Sequence, residues 1–192
     1  MTNFENKKSY EGMIPSPEDK RDYIYEVLYT STLTVANDYI DILTESLPKE
    51  KIYEENIKVL DQIVDGPCVA FSCATIKNNQ EYREWSSVIG NFNEHFNPLF
   101  LYNLRSTKNV NGMIIREALD LLVNNGMALE RDYPFDIKNI NKPIPKKVLE
   151  SAKRYCIEGY SRITTLNGLQ KAIYKNGPCI IGLPVYNYSK TF

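Results

Sequence analysis

The sequence predicts an α+β fold, on two observations. Helical periodicity is clearest in the middle of the chain, where Ile114, Ile115, Ala118, Leu119 and Leu122 share one face, and it returns at Leu166, Leu169, Ala172 and Ile173. Strand-like runs gather in the C-terminal third, at 156–163 and, almost continuously apolar, at 179–185.

Length and composition set the limits. The 192 residues are enough for one good-sized core or two small lobes, since domains commonly run about 100–200 residues. Apolar residues make up 43% and charged residues 24%, with 14 tyrosines and no low-complexity or repeated segment, so a globular chain is expected throughout. The 23 basic and 24 acidic residues are well mixed and leave a net charge of −1, so the basic face that phosphate neutralisation requires is not expected, nor is a nucleic-acid partner. No run approaches the roughly 18–20 apolar residues of a membrane span, and residues 1–10 carry no apolar signal core. A cytoplasmic location without membrane contact is the expectation. Heavy use of Asn, Lys, Ile and Tyr suits an AT-rich genome, such as that of a bacterium or one of its viruses. Four cysteines are too few and too unevenly spaced for a zinc site or a disulfide scaffold, so reduced thiols are expected, with no metal and no cofactor.

In chain order, residues 12–23 carry Pro15 and Pro17, which forbid helix and favour an extended strap ending in turn-formers. Ile24, Val27 and Leu28 suit a short strand or helical turn, and Val35, Tyr39, Ile42 and Leu43 fit one helical face. Leu47-Pro48 resets the chain, and 57–60 is a short strand-like run. Gly66-Pro67 signals a helix start, with proline expected at the first helical position and the helix running to about Asn78 or Tyr82. Residues 83–98 look irregular. A short helix is expected from Pro98, a turn at Asn111-Gly112, and a helix ended by Gly126. Residues 133–145 read as extended and proline-punctuated, 147–153 as a helical piece, and Gly177-Pro178 as the break between the last helix and the last strand.

The chemistry gathers at Cys68. A thiol in the first turn of a helix meets unpaired backbone N–H groups and the positive end of the helix dipole, both of which favour the thiolate. The Cys68 N–H and the Gln62 amide, six residues earlier, are spaced to bind an oxyanion together. A buried thiol at the top of a core helix has the same sequence signature. Cys73, Cys156 and Cys179 read as buried thiols, and Asp61 and Asp65 as residues that serve the helix start.

These residues resemble the papain-like cysteine peptidases of bacterial and viral type. Gln62 to Cys68 has that family's spacing, and Val69-Ala70-Phe71 matches the residues that come directly after the family's nucleophile. Three positions depart from it. Pro67 replaces a small residue, Ile63 a glycine, and Asp65 stands where many members have a disulfide cysteine, putting a carboxylate near the thiol. Further blocks keep the family's order: Gly12 to Tyr23 resembles its lead-in, and Leu47-Pro48 the opening of its mature domain. Asn111-Gly112 is similar to its cleft turn, Gly126 to Glu130 with Tyr133-Pro134-Phe135 to a later block, and Leu169 to Val185 to the helix and strand that lead to the catalytic histidine.

The resemblance implies a papain-like fold with a helical lobe carrying the nucleophile helix and a β-rich lobe incomplete in this chain. Residues 1–46 would form an N-terminal extension or propeptide-like strap, and 47–192 the peptidase domain. It implies a peptide or protein substrate, Cys68 and Gln62 as catalytic residues, and Gly112 as a substrate-binding residue. The family's histidine lies roughly 130–150 residues after the cysteine, which falls beyond Phe192, and its asparagine lies farther on. The one histidine present, His95, falls on the cysteine's own lobe. The 192 residues alone are therefore expected to be inactive. The alternatives are a non-catalytic binding or structural module, or another acyl-transfer activity on the same thiol, such as that of an amidase or transglutaminase. An unfinished apolar strand at 179–185 predicts poor solubility.

Overall fold

The computed structural model describes residues 12–27, 47–53, 60–86, 88, 90 and 92–183. The expected helix around 35–43 and the run at 57–60 lie outside the described residues, apart from Leu60. The order of elements is β1 (Gly12–Ile14), α1 (Cys68–Ser86), α2 (Pro98–Leu104), β2 (Gly112–Ile114), α3 (Ile115–Asn125), α4 (Lys146–Ala152) and α5 (Leu166–Asn176), with single 3₁₀ turns at Ile137–Asn139 and Lys153–Tyr155.

The core lies where α1, α2 and α3 meet. Val69, Ala70, Cys73 and Ala74 of α1 face Leu99 to Tyr102 of α2, Ala118 and Leu122 of α3, and Met127 to Leu129 beyond it. Small residues on α1 let the neighbouring helices approach. Asn97 fixes the entry to α2: its Oδ1 accepts the Leu99 N–H at 2.8 Å, and its amide donates to the Tyr133 carbonyl at 2.6 Å. Gly126, at φ 71°, closes α3 by donating its N–H to the Leu122 carbonyl, as expected of a C-cap glycine. Thr165 caps α5 through its hydroxyl, which accepts the Gly168 N–H at 2.9 Å.

Four expectations need correction. Helix α1 runs on to Ser86. Past Lys77 it presents polar residues, and these satisfy one another. Lys77 pairs with Glu81 one turn on at 2.6 Å, with both side chains nearly buried, and the Trp85 indole N–H donates to Glu81 at 3.0 Å. The stretch 133–145 is extended at Asp136 and Pro145 but is interrupted by a 3₁₀ segment, because the Asp136 carboxylate accepts the Lys138 N–H at 2.9 Å and caps it. Residues 156–163 form no strand; only Arg162 makes a bridge, parallel to Ile24. Residues 179–183 make no strand among the described residues, and 184–185 lie outside them. The one sheet of the described residues is parallel and two-stranded, with Gly12 opposite Gly112, Met13 opposite Met113 and Ile14 opposite Ile114.

Candidate active site

Cys68 is the first residue of α1. The Pro67 carbonyl already accepts the first helical hydrogen bond, from the Phe71 N–H at 3.0 Å, so the proline stands one place ahead of its expected position. The Cys68 and Val69 N–H groups remain at the helix start, where they favour the thiolate. Burial outweighs them. The half-buried thiol is pushed above its ordinary range, opposite to the direction the helix position alone predicts.

The cover over the thiol is the chain's own strap. Gly12 packs against Cys68 so closely that a β-carbon on Gly12 would lie 2.5 Å from the Cys68 sulfur. With φ at +119°, Gly12 also occupies backbone space that glycine alone enters without strain. On its other side Gly12 pairs with Gly112, where an added β-carbon would meet the Gly12 carbonyl at 2.6 Å. The strand start expected to bind an extended peptide therefore holds residues 12–14. Beyond β1 the strap is tied down by Asp22, which accepts two hydrogen bonds from Arg116 of α3, at 2.9 and 2.6 Å, and a longer one from Arg162 at 3.4 Å. These guanidinium contacts hold the Asp22 carboxyl below its ordinary titration range. Backbone bonds from Tyr25 N–H to the Arg162 carbonyl (2.9 Å) and from Arg162 N–H to the Tyr23 carbonyl (2.7 Å) complete the tie.

Gln62 sits in a tight loop ahead of the helix. Its side-chain amide donates to the Val64 carbonyl at 2.8 Å, while the Val64 N–H returns to the Gln62 carbonyl at 2.7 Å. Between them Ile63 is held at φ +66°, uncommon for a β-branched residue, and its N–H bonds to the Asp61 carboxylate at 2.9 Å. Asp61 thus serves the turn, whereas Asp65 is exposed.

The chain around His95 is tied to the middle of α1. Its carbonyl accepts the Glu130 N–H at 2.7 Å, and the next residue, Phe96, donates to the Asn78 side chain at 3.0 Å. Asn78 lies ten residues along α1 from Cys68, or about 15 Å at the helical rise. The loop that carries His95 is therefore beyond hydrogen-bonding reach of the thiol.

Between the strap, α1, α3 and the 177–183 segment lies a cleft of about 790 Å³, lined among others by Met13, Ile76, Arg116, Leu119, Ile180 and Gly182. A β-carbon on Gly182 would collide with the Met13 methyl group. Of the remaining cysteines, Cys73 is buried as expected and pushed up to about 12 by desolvation, and Cys179 is half-buried. Cys156 is exposed, against expectation, because it comes just after the 3₁₀ turn on the surface. Among the described residues no group of His, Cys, Asp and Glu side chains comes together to hold a metal ion, and no helix is long and apolar enough to cross a membrane.

The spacing of the sequence brought out Cys68, Gln62 and Gly112. It did not bring out Gly12 as the residue on the thiol, or Asp22 and Arg116 as its tether; the only signals were a glycine and an aspartate in the proline-rich lead-in.

The fold is shared with a cysteine protease of known structure. Among solved structures the chain is similar to xylellain, a cysteine protease from Xylella fastidiosa, with a TM-score of 0.64 and 22% sequence identity over 90% of this chain. The match covers 66% of the xylellain chain. No family model matches the sequence, and no curated protein matches it.

Proposed function

We propose that this chain is the nucleophile-bearing part of a papain-like thiol peptidase. The observation that carries the reading is the juxtaposition at Cys68: a thiol at a helix start, flanked by an extended backbone segment that pairs with Gly112–Ile114 and crosses the sulfur. That is how a peptide substrate would have to lie for attack.

In the proposed reaction the Cys68 thiol gives its proton to an imidazole as its sulfur adds to the peptide carbonyl carbon, and the oxyanion is held by the Cys68 N–H and the Gln62 amide. Gln62 has two amide hydrogens, of which Val64 engages one. The amine leaves with a proton from an imidazolium, and water then hydrolyses the thioester, its proton passing to the imidazole. His95 stands too far away for that role, so the imidazole of this reaction is assigned to a group other than His95. Residues 1–46 are assigned as an N-terminal strap of which Gly12–Ile14 covers the thiol, and residues 47–192 as the peptidase domain. The substrate class is a peptide or protein.

A non-catalytic peptide-binding module is the second reading, favoured by the raised thiol and the distant histidine. A peptidyl epoxide separates the two. Selective modification of Cys68 over the other three cysteines, with peptide hydrolysis absent from the 192-residue chain and present when a histidine-bearing segment is supplied, supports the peptidase. Equal labelling of all four cysteines, or none, supports the inert module. Robust turnover by residues 1–192 alone, lost in Cys68→Ala, overturns the assignment of the base.

A further inference from the structure

We propose that Tyr102 and Asn111 are positioning residues that key the segment carrying the thiol to the strand that lines the cleft, an inference that rests on the reading of Cys68 as the nucleophile. Three separate stretches of chain converge on the Tyr102 hydroxyl. The Gly112 N–H donates to it at 3.4 Å, and it donates in turn to the Asn111 side-chain oxygen at 3.3 Å. Gly66, two residues ahead of Cys68, faces the same two groups. A β-carbon there would lie 2.6 Å from the Tyr102 hydroxyl and collide with the Asn111 oxygen. The hydroxyl is thus the common point of α2, the start of β2 and the turn into α1.

Tyr102 is itself held rigidly. It is 1% exposed, and the Arg105 guanidinium lies over its ring at 3.5 Å from the centroid while donating to the Tyr102 carbonyl at 2.5 Å. Arg105 is 2% exposed. Burying an arginine that has no carboxylate within ion-pair distance among the described residues is costly, and here the ring face and the carbonyl supply its contacts. The hydroxyl thus bonds to the start of β2 and packs on Gly66, so its removal loosens both segments. In the proposed reaction the carbonyl under attack is placed by β2 and the sulfur by Gly66-Pro67, so this shared anchor sets the distance between them.

Tyr102→Phe tests the role, since it keeps the ring and its arginine and removes only the hydroxyl; Asn111→Ala removes the acceptor. In the full chain, each variant is expected to melt within a few degrees of wild type. Amide exchange is expected to rise about tenfold at both Gly112 and Cys68, because one anchor is lost from two segments. The pH midpoint of Cys68 alkylation by iodoacetamide is expected to move by about half a unit as the helix-start amides shift relative to the sulfur. The double variant is expected to be no worse than either single one, as befits groups acting as a unit. Faster exchange confined to Gly112, an unmoved alkylation midpoint, or fully additive effects would each overturn the proposal. Failure of a peptidyl epoxide to select Cys68 in the wild-type chain strikes the peptidase reading instead, and the exchange and alkylation comparisons still decide the positioning role.

Discussion

At Cys68 two effects oppose each other. The helix-start amides pull the thiol toward ionisation, while burial pushes it the other way and prevails. Gly12 packs directly on the sulfur, so Gly12→Ala is expected to lift the strap: its β-carbon and the sulfur cannot both occupy their places, and φ +119° is strained for alanine. Cys68 alkylation should then run severalfold faster, with its pH midpoint shifted down toward that of an ordinary thiol. An unchanged or slower rate would show that Gly12 is not the cover. Ile63 gives a second test at this scale. A left-handed conformation costs an L-residue with a β-carbon about 1–2 kcal/mol. Glycine avoids that cost at a loss of roughly 0.5–1 kcal/mol in chain entropy. Because Ile63 is 62% exposed and loses little burial, Ile63→Gly is expected to raise the urea midpoint slightly. A lowered midpoint would mean that the contacts of Ile63 outweigh its backbone strain.

Among the elements, the strap is held by charge as well as by strand pairing. Arg116 and Asp22 form a two-bond pair with side chains only 18% and 10% exposed, and Arg162 adds a longer contact. The folded Asp22 carboxyl titrates below its ordinary value of 3.8. Its contribution is therefore complete above that value and is lost as the pH falls from there through the folded titration point. Mild acid should leave the strap in place. Asp22→Asn is expected to remove this acid-side loss from the stability profile and, at neutral pH, to speed amide exchange at Met13 and Ile14; protection as strong as in the wild type would mean that β1–β2 pairing alone holds the strap. The elements also show which local signals the sequence carried. Helices α2, α3 and α5 were legible because caps, periodicity and closing glycines agree over short spans. The length of α1 was not, since its second half is stabilised by a buried Lys77–Glu81 pair rather than an apolar stripe. The strand reading of 156–163 failed for a different reason. A strand exists only with a partner, and β-propensity reports fit to a half-buried surface rather than pairing. Of the candidate site, Cys68 and Gly112 stand out in the sequence through local turn chemistry, whereas the contact of Gly12 with the sulfur joins segments far apart in the chain.

Over the whole molecule the described residues leave an apolar margin. Ile181 is 57% and Leu183 68% exposed on a segment that makes no strand among the described residues, and this segment borders the 790 Å³ cleft. Backbone outside any ladder with apolar side chains exposed beside it invites pairing with another chain. The net charge of −1 adds little repulsion to oppose that. The 192-residue chain is therefore expected to self-associate as concentration rises, in sedimentation or light scattering. Placing charge on the edge, with Ile181→Lys and Leu183→Lys together, should shift the population toward monomer. Both positions are exposed and so contribute little to the core, so the melting temperature should stay nearly constant. If the wild-type chain stays monodisperse at high concentration, the edge is already covered; if the double variant associates as strongly as wild type, the contact lies elsewhere on the surface.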